Sequence, residues 1–567
     1  MVKEVMKNKR NSKKQSIVQL LLLFGILIFV NIIAQFVFKR IDMTQEKRYS
    51  LSQSSKDLAS GLKDIVYFRI YLDGNLPPGF LKLRNTLKEM LDEFRINSNG
   101  NIEYEFIDPS ANPDEKQRVE LYKQLSEKGL YPTNLEENDK GQQSQKIIFP
   151  GAIVNYRSVE IPMQILKSKF GGSSDVMINN SIESLEYEIS SVLRKLSIDK
   201  TSSIAFLRGQ NELSTKKISD AANGLSDYYI VDTIQIEGQL KALDNYKLLI
   251  IAKPDTAFAE KDKFVIDQYI MKGGRVLWLI DQLAMDMDSL EKQSTNVAIA
   301  KELNIDDMLF KYGVRINPDF VMDMQAAPIP VITGYIGNQP KQEIFPWYYY
   351  PLLSADGKNP IVNNLNMIKT EFASSIDTIE TESVTKTILL SSSKLSRLQM
   401  APARVSLNIL REKADPLMFN RRSIPIAVLL EGNFNSNYEN RIPTAISNSQ
   451  EINFQQKSVN TKMIVVSDGD IIASYVSKKG NVYPLGYDRF TRQTFGNKNF
   501  VLNCIDYLCD NKGVLELRSK EIKMRLLDPA KTEKPLFIQW TNVLLPTLLV
   551  ILFGVVFTFI RKRKFSN

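Results

Sequence analysis

Apolar and polar positions fall along this chain in three regimes. Two uncharged apolar runs, Ile17 to Phe38 and Val543 to Ile560, stand near its ends, and each is long enough to cross a bilayer core as a helix. In the first part between them, Ile65 to Leu72 alternates with a period of two and predicts a strand, Phe80 to Ile96 has helical spacing, and Ile102 to Ile107 predicts a second strand. A helix over Glu115 to Lys128 and two strands, Lys146 to Asn155 and Ser158 to Leu166, follow around a turn at Tyr156 and Arg157. Ile182, Leu185, Ile189, Val192, Leu193 and Leu196 then form one stripe of a helix that Asn180, with Glu183 three residues on, is placed to cap.

From Ser203 the pattern changes to short, continuous apolar runs alternating with helices. Strands are expected at Ile204–Leu207, Tyr229–Ile236, Lys247–Ala252 and Arg275–Ile280, and helices near Ile218–Leu225 and over Glu260–Met271. Such runs, buried on both faces, indicate a parallel sheet covered by helices. Further strands at Thr387–Leu390, Ile426–Leu430 and Met463–Val466 precede a helix over Phe500–Leu508, while Asn296–Thr385 and Asn433–Lys457 read as insertions or a β-rich subdomain.

The expected organisation is therefore a basic tail (1–16), a transmembrane helix (17–38), a polar stalk (39–59) and a first domain (60–178). A linking helix (179–200) leads to an α/β domain (201–515) with β-rich insertions near 296–385 and 433–457. A juxtamembrane segment (516–539), a second transmembrane helix (540–560) and a basic tail (561–567) complete it. The β-α-β-α-β-β order of the first domain is that of a thioredoxin-like domain. Asp73-Gly74-Asn75-Leu76-Pro77-Pro78-Gly79 occupies the place of a redox pair and carries no thiol, so this domain would bind or scaffold.

Charge places the two tails. The chain of 567 residues is formally +9, of which residues 1–16 carry +5 and residues 561–567 carry +4, leaving the rest neutral. The positive-inside bias puts both tails in the cytoplasm of a bacterial inner membrane, with the bulk in the periplasm. Nucleic acid is not an expected partner, because its footprint needs basic residues clustered on a folded face. The first run exceeds a signal-peptide core and meets Lys39 and Arg40 without a small-x-small cleavage site, so it reads as an uncleaved anchor.

Composition removes much chemistry. The chain has no histidine and two cysteines, Cys504 and Cys509, five apart on one apolar helix. That excludes Ser-His-Asp and Cys-His mechanisms, and the two thiols diverge too far for a disulfide. No phosphate-cradling P-loop or G-x-G-x-x-G turn is present, so nucleotide hydrolysis is not expected of this chain alone. Neither a resident metal nor a cofactor is expected.

A set of ordered motifs resembles a known family. They are Arg48-Tyr49-Ser50-Leu51-Ser52, Ile182-Glu183-Ser184-Leu185-Glu186-Tyr187-Glu188 and Phe206-Leu207-Arg208-Gly209-Gln210-Asn211-Glu212. Pro346-Trp347-Tyr348-Tyr349-Tyr350-Pro351-Leu352, Val465-Val466-Ser467-Asp468-Gly469-Asp470, Pro484-Leu485-Gly486-Tyr487-Asp488 and Phe495-Gly496-Asn497-Lys498-Asn499-Phe500 follow. With an anchor at each end, the chain resembles the auxiliary, substrate-binding-like component of the gliding-motility ABC transporter of Bacteroidetes, the GldG family. The resemblance implies an ABC permease subunit and a cytoplasmic ABC ATPase as partners. It also implies an α/β domain similar to flavodoxin-like and glutamine-amidotransferase-like folds, without their cysteine and histidine. Gln210-Asn211 departs from the family pattern, where Gly-His-Gly-Glu is commoner.

Parallel sheets place ligands at the carboxyl ends of their strands. The candidates there are Arg208, Glu212, Asp281, Asp468 and Asp470. Asp468 and Asp470 could bind an oxygen-preferring cation or shape a tight turn. Trp347, Tyr348, Tyr349 and Tyr350 could form an aromatic interaction surface or fill the core of an inserted loop. Asn31 and Gln35, four apart on one helix face, could meet permease helices in the lipid. The favoured reading is a noncatalytic accessory subunit. The alternatives are a periplasmic scaffold for cell-envelope or motor components and a hydrolase using Glu212 and Asp468 as acid and base.

Overall fold

The structure, a computed structural model, describes residues 18, 20–29, 51–509 and 535–565. Within 51–509 the description excludes 131, 140–141, 158, 167–173, 198–201, 337–338, 355–358, 364, 412–413, 444–447 and 451. The fold is mixed α/β with several sheets.

The first part runs α1 (Gln53–Ser60), β1 (Val66–Ile70), α2 (Pro78–Asn97), β2 (Ile102–Phe106), α3 (Glu115–Glu127), β3 (Thr133–Asp139), β4 (Gln142–Ile148), β5 (Gly151–Tyr156), β6 (Val159–Gln164) and α4 (Ser174–Ser197). Its sheet has the order β2-β1-β5-β6, with β1 parallel to β2 and antiparallel to β5, and β5 antiparallel to β6. Alternation along β1 turns Val66, Phe68 and Ile70 inward, and α2 buries Leu83, Leu87, Leu91 and Phe94. The strand expected over Lys146–Asn155 is interrupted at Phe149-Pro150, so β4 pairs with β3 in a separate hairpin and β5 joins the main sheet.

Two expectations here are corrected. The last third of the expected stalk is a packed helix: Ser52 caps α1, and Leu51, Ser55 and Ala59 are buried. Asn180 does not cap the linking helix, because α4 starts six residues earlier. Ile178 in that added turn is buried and packs beside Gly79 at the start of α2, and this contact outweighs the local capping signal. The stripe residues Ile182, Leu185, Ile189, Val192 and Leu193 are buried as expected, and α4 packs on α1 and α2. Glu186 of α4 accepts from the Ser52 N–H at 2.7 Å and the Ser55 hydroxyl at 2.8 Å. Two of the sequence motifs are thus one contact.

The second part begins β7 (Ser203–Arg208), α5 (Thr215–Ser226), β8 (Ile230–Gln235), β9 (Leu248–Ala252), α6 (Glu260–Met271), β10 (Arg275–Leu279) and α7 (Met287–Lys292). It continues β11 (Thr295–Ala298), α8 (Asp306–Tyr312), β12 (Val314–Ile316), β13 (Asp319–Asp323), β14 (Ala326–Ile336), β15 (Gln339–Leu353), β16 (Ile368–Lys369) and β17 (Ile376–Thr378). Then come β18 (Val384–Ser391), β19 (Ser396–Met400), β20 (Ala403–Ser406), β21 (Pro425–Gly432), β22 (Thr461–Val466) and α9 (Asn497–Cys509).

The main sheet has seven strands in the order β18-β21-β22-β10-β9-β7-β8. The pairs from β22 through β10, β9 and β7 to β8 are parallel, and β21 and β18 close one edge antiparallel. Period-two alternation sends Phe206, Ile250, Leu279 and Val466 to a core shared with α5 and α9, and Leu207, Ile251, Trp278 and Val465 to one shared with α6 and α8. Burial on both faces accounts for the continuous apolar runs.

The insert between β10 and β22 has its own aromatic core. Trp347, Tyr349 and Tyr350 are buried, with the Trp347 and Tyr349 rings 4.9 Å apart and Phe320 and Phe372 5.7 and 5.4 Å from Tyr349 and Tyr350. Tyr348, on the other face of the strand, is half-buried against Phe419. The run is core and not an open ledge. The segment after β21 is held to α6 by Asp267, which accepts from the Tyr312 and Ser436 hydroxyls, the Asn437 N–H and the Gln268 amide at 2.6 to 2.9 Å. Both cysteines of α9 are free and buried.

Near the carboxyl end, α10 (Pro535–Phe565) contains an apolar stretch, Val543–Arg563, of mean hydropathy 2.8. Among the described residues it is the one helix long and apolar enough to cross a membrane; a shorter apolar helix spans Leu20–Phe29. Asn31 and Gln35 lie outside the described residues, as do 39–50 of the expected stalk and 516–534 of the juxtamembrane segment.

Candidate functional site

The carboxyl ends of β7, β9, β10 and β22 lie side by side, and the loops that leave them carry the charged residues of this region. Connections reverse direction between β7 and β9, which makes that the topological switch point. Asp281, Asp468 and Asp470 converge beside it, past the ends of β10 and β22, with carboxylate oxygens within 4.8 Å of one another. At their centre sits Lys253, the first residue after β9. Its ammonium lies 2.5 Å from Asp470 and 3.0 Å from Asp281.

Backbone geometry fixes this cluster. Lys253 takes a left-handed conformation, φ 56°, that directs it across the sheet end. A side chain at Gly469 would meet the Lys253 Cβ at 2.6 Å, so only glycine lets the Asp468-Gly469-Asp470 loop close over it. The Gly469 N–H donates to Asp281 at 2.5 Å, the Asp470 N–H to Asp468 at 2.8 Å, and the Glu371 N–H to the other Asp468 oxygen at 2.9 Å.

Protonation follows from these contacts. Burial opposes charge on Lys253, but Asp470 and Asp281 more than offset it and hold its pKa well above the ordinary lysine value. Burial likewise opposes charge on Asp470, and Lys253 reverses this, lowering that carboxyl. Asp468 has no cation of its own. Burial and the charges of Asp281 and Asp470 push it well above the carboxylate range. The cluster therefore carries its own cation in Lys253, and a metal ion would have to displace an ammonium already bound to two of the three acids. Ca²⁺ would also require six to eight oxygens.

Arg208 and Glu212 are placed differently. The Arg208 guanidinium donates to the Leu213 carbonyl and, at 3.5 Å, to Thr215, closing its own loop. Glu212 accepts from the Gln210 N–H at 3.1 Å through one oxygen, while the other is buried without a hydrogen-bond partner. Burial raises its pKa despite the nearby N–H groups and Arg208. Glu212 lines a cleft of about 770 Å³ together with Ser214, Lys217, Lys253 and, from the α7 region, Asp286, Asp288 and Lys292. Asp468 does not line it, is fully buried, and uses both oxygens on backbone N–H groups. Such a carboxyl is not placed to share acid–base work with Glu212 on a bound substrate.

The aromatic run joins the cluster at its far end. Lys369 lies 4.8 Å from the Tyr350 ring and bridges Glu371 and Asp488 at 2.8 Å each, and the Glu371 N–H is the one that binds Asp468. Lys253, Lys369 and Glu371 were not among the sequence candidates. The available signal is a charge directly after the all-apolar strand Leu248–Ala252.

Comparison with known proteins adds three findings. Residues 201–504 match the family described as an ABC-type uncharacterized transport system, and residues 45–155 match a domain of unknown function. An uncharacterized protein of Borreliella burgdorferi is 23% identical over 99% of this chain and 100% of its own length. Among solved structures, the N-terminal domain of mmIFT52 aligns with 55% of this chain and 98% of its own at 14% identity, with a TM-score of 0.31 that carries no argument.

Proposed function

The chain belongs to the family of ABC-type uncharacterized transport system auxiliary components, and from this premise we propose that it is a noncatalytic, membrane-anchored accessory subunit. Its partners are a separate permease and a cytoplasmic ATPase. The observation that carries the noncatalytic reading is the engagement of the acids: Asp281 and Asp470 hold Lys253, and Asp468 holds two backbone N–H groups.

In the finer reading the protein is a GldG-type component that acts in gliding motility, with two spans, cytoplasmic termini and the bulk in the periplasm. The strand order β2-β1-β5-β6 supports a thioredoxin-like first domain, and the order β8-β7-β9-β10-β22 supports a flavodoxin-like second one. The helix over Val543–Arg563 supports the second anchor. Affinity purification of the tagged chain from its native membrane, followed by mass spectrometry, tests the proposal. An ABC ATPase and a multispanning permease recovered in fixed ratio are expected. Recovery of envelope proteins without them would refute it and favour the scaffold.

A further inference from the structure

The cleft at the switch point is not explained by an accessory role, and its charges are arranged for a ligand. Most charges around it are already used: Lys253 by two aspartates, Asp255 by Lys301 at 2.8 Å, and Asp286 by the Ser289 N–H that it caps. Three are not. Glu212 keeps one oxygen without a partner, and Lys217 and Lys292 make no ion pair among the described residues. A buried acceptor left open is costly unless a donor arrives. Arg208, the nearest cation in sequence, is committed to Leu213 and Thr215 and supplies none.

The unused charges are of both signs and stand on two elements. Glu212 and Lys217 flank the amino end of α5, whose cap residue Ser214 makes no side-chain cap bond, and α7 carries Asp288 in its first turn and Lys292 at its end. We propose that this cleft binds a short peptide with free ends, its ammonium on Glu212 and its terminal carboxylate on Lys217 and Lys292. A volume of about 770 Å³ lies within the ~300–1,000 Å³ usual for small-molecule sites and would leave a single amino acid loosely held. Lining by serine, asparagine and glutamine side chains suits the amide groups between the two ends. The inference is independent of the transporter reading, since it concerns this chain alone.

Calorimetric titration of the purified full-length protein in detergent with trialanine, N-acetyl-trialanine and trialanine amide tests it. Trialanine is expected to bind, with each blocked peptide weaker by about tenfold or more, the loss of one charge-assisted hydrogen bond. Glu212→Gln should erase the discrimination against the acetylated peptide and keep that against the amide. Lys217→Met combined with Lys292→Met should do the reverse, and circular dichroism of each variant establishes that it is folded. No binding of trialanine at 20 mM (about twenty times a weak 1 mM Kd), or equal binding of all three peptides, would overturn the proposal.

Discussion

Replacing Lys253 by methionine keeps the stem and removes the charge at the centre of the acidic cluster. The wild-type ammonium lies 2.5 Å from Asp470, 16% exposed, whose carboxyl it lowers, and 3.0 Å from Asp281, 4% exposed, where burial outweighs it and the carboxyl stays raised. Breaking a buried pair by deleting one partner costs about 3–5 kcal/mol, because the remaining charges are left in a poor solvent. At roughly 1.5 °C per kcal/mol for a domain of about 300 residues, from about 2.1 cal/mol/K of unfolding entropy per residue, the melting temperature should fall by about 5–8 °C. Thermal unfolding followed by near-ultraviolet circular dichroism reads this, since Trp278 on β10 is fully buried. The loss must also depend on pH. In the wild type the Asp470 pKa is lowered, so its contribution is present above the unfolded value of about 3.9 and disappears as pH falls through the folded value. In the variant the abandoned carboxyls take up protons, so the deficit at pH 7 should shrink at pH 4.5. A deficit below about 1 kcal/mol at pH 7, within the range of a surface ion pair, or one unchanged at pH 4.5, would refute this account.

Three further outcomes are expected. Asp468 has a raised pKa, so the folded state holds its proton longer than the unfolded chain, and its effect on stability worsens as pH rises from about 4 towards the folded value. Urea midpoints of wild type and Asp468→Asn should converge or cross as pH increases from 4.5 to 7.5, and parallel curves would contradict this. Glu186→Ala removes the acceptor for the Ser52 N–H and the Ser55 hydroxyl and should cost about 1–3 kcal/mol, with faster proteolysis around α1; unchanged cleavage would count against that tie. Burial pushes Cys509 up to about 12 and Cys504 well above the usual thiol value, so a disulfide reagent should label both only after denaturation, and rapid labelling of the native protein would show the α9 face to be open.

The strands of the parallel sheet were legible because each is buried on both sides, and Leu248–Ala252 and Arg275–Leu279 fall within a residue of their expected bounds. Helix α6 coincides with the reading from its pattern. Legibility failed where distant segments decide. Asn180 carries a sound capping signal, yet Ile178 finds a neighbour beside Gly79 and extends the helix past it. Four adjacent aromatics cannot reveal which face of a strand is covered, and Phe320 and Phe372 cover Tyr349 and Tyr350. Asp281, Asp468 and Asp470 could be named from their places after strands. Their partner Lys253 is 217 residues from Asp470, and its role depends on a left-handed backbone that a sequence does not display.

The order of strands has a consequence for how the protein is made. β10 and β22 are neighbours in the sheet, but the Asp281 and Gly469 that join their ends are separated by 188 residues, a stretch that holds the whole intervening insert and β22 itself. At about 5–20 residues per second, a ribosome needs roughly 10–40 s to deliver the strand that covers the β10 edge. Throughout that interval a fully apolar edge, Val276 to Leu279, waits unpaired, open to misassociation with any other strand. The clamp of Lys253 on Asp470 can form only after that strand arrives, with α9 still to cover one face of the sheet, and nascent chains stalled before residue 461 should be the ones that chaperones hold.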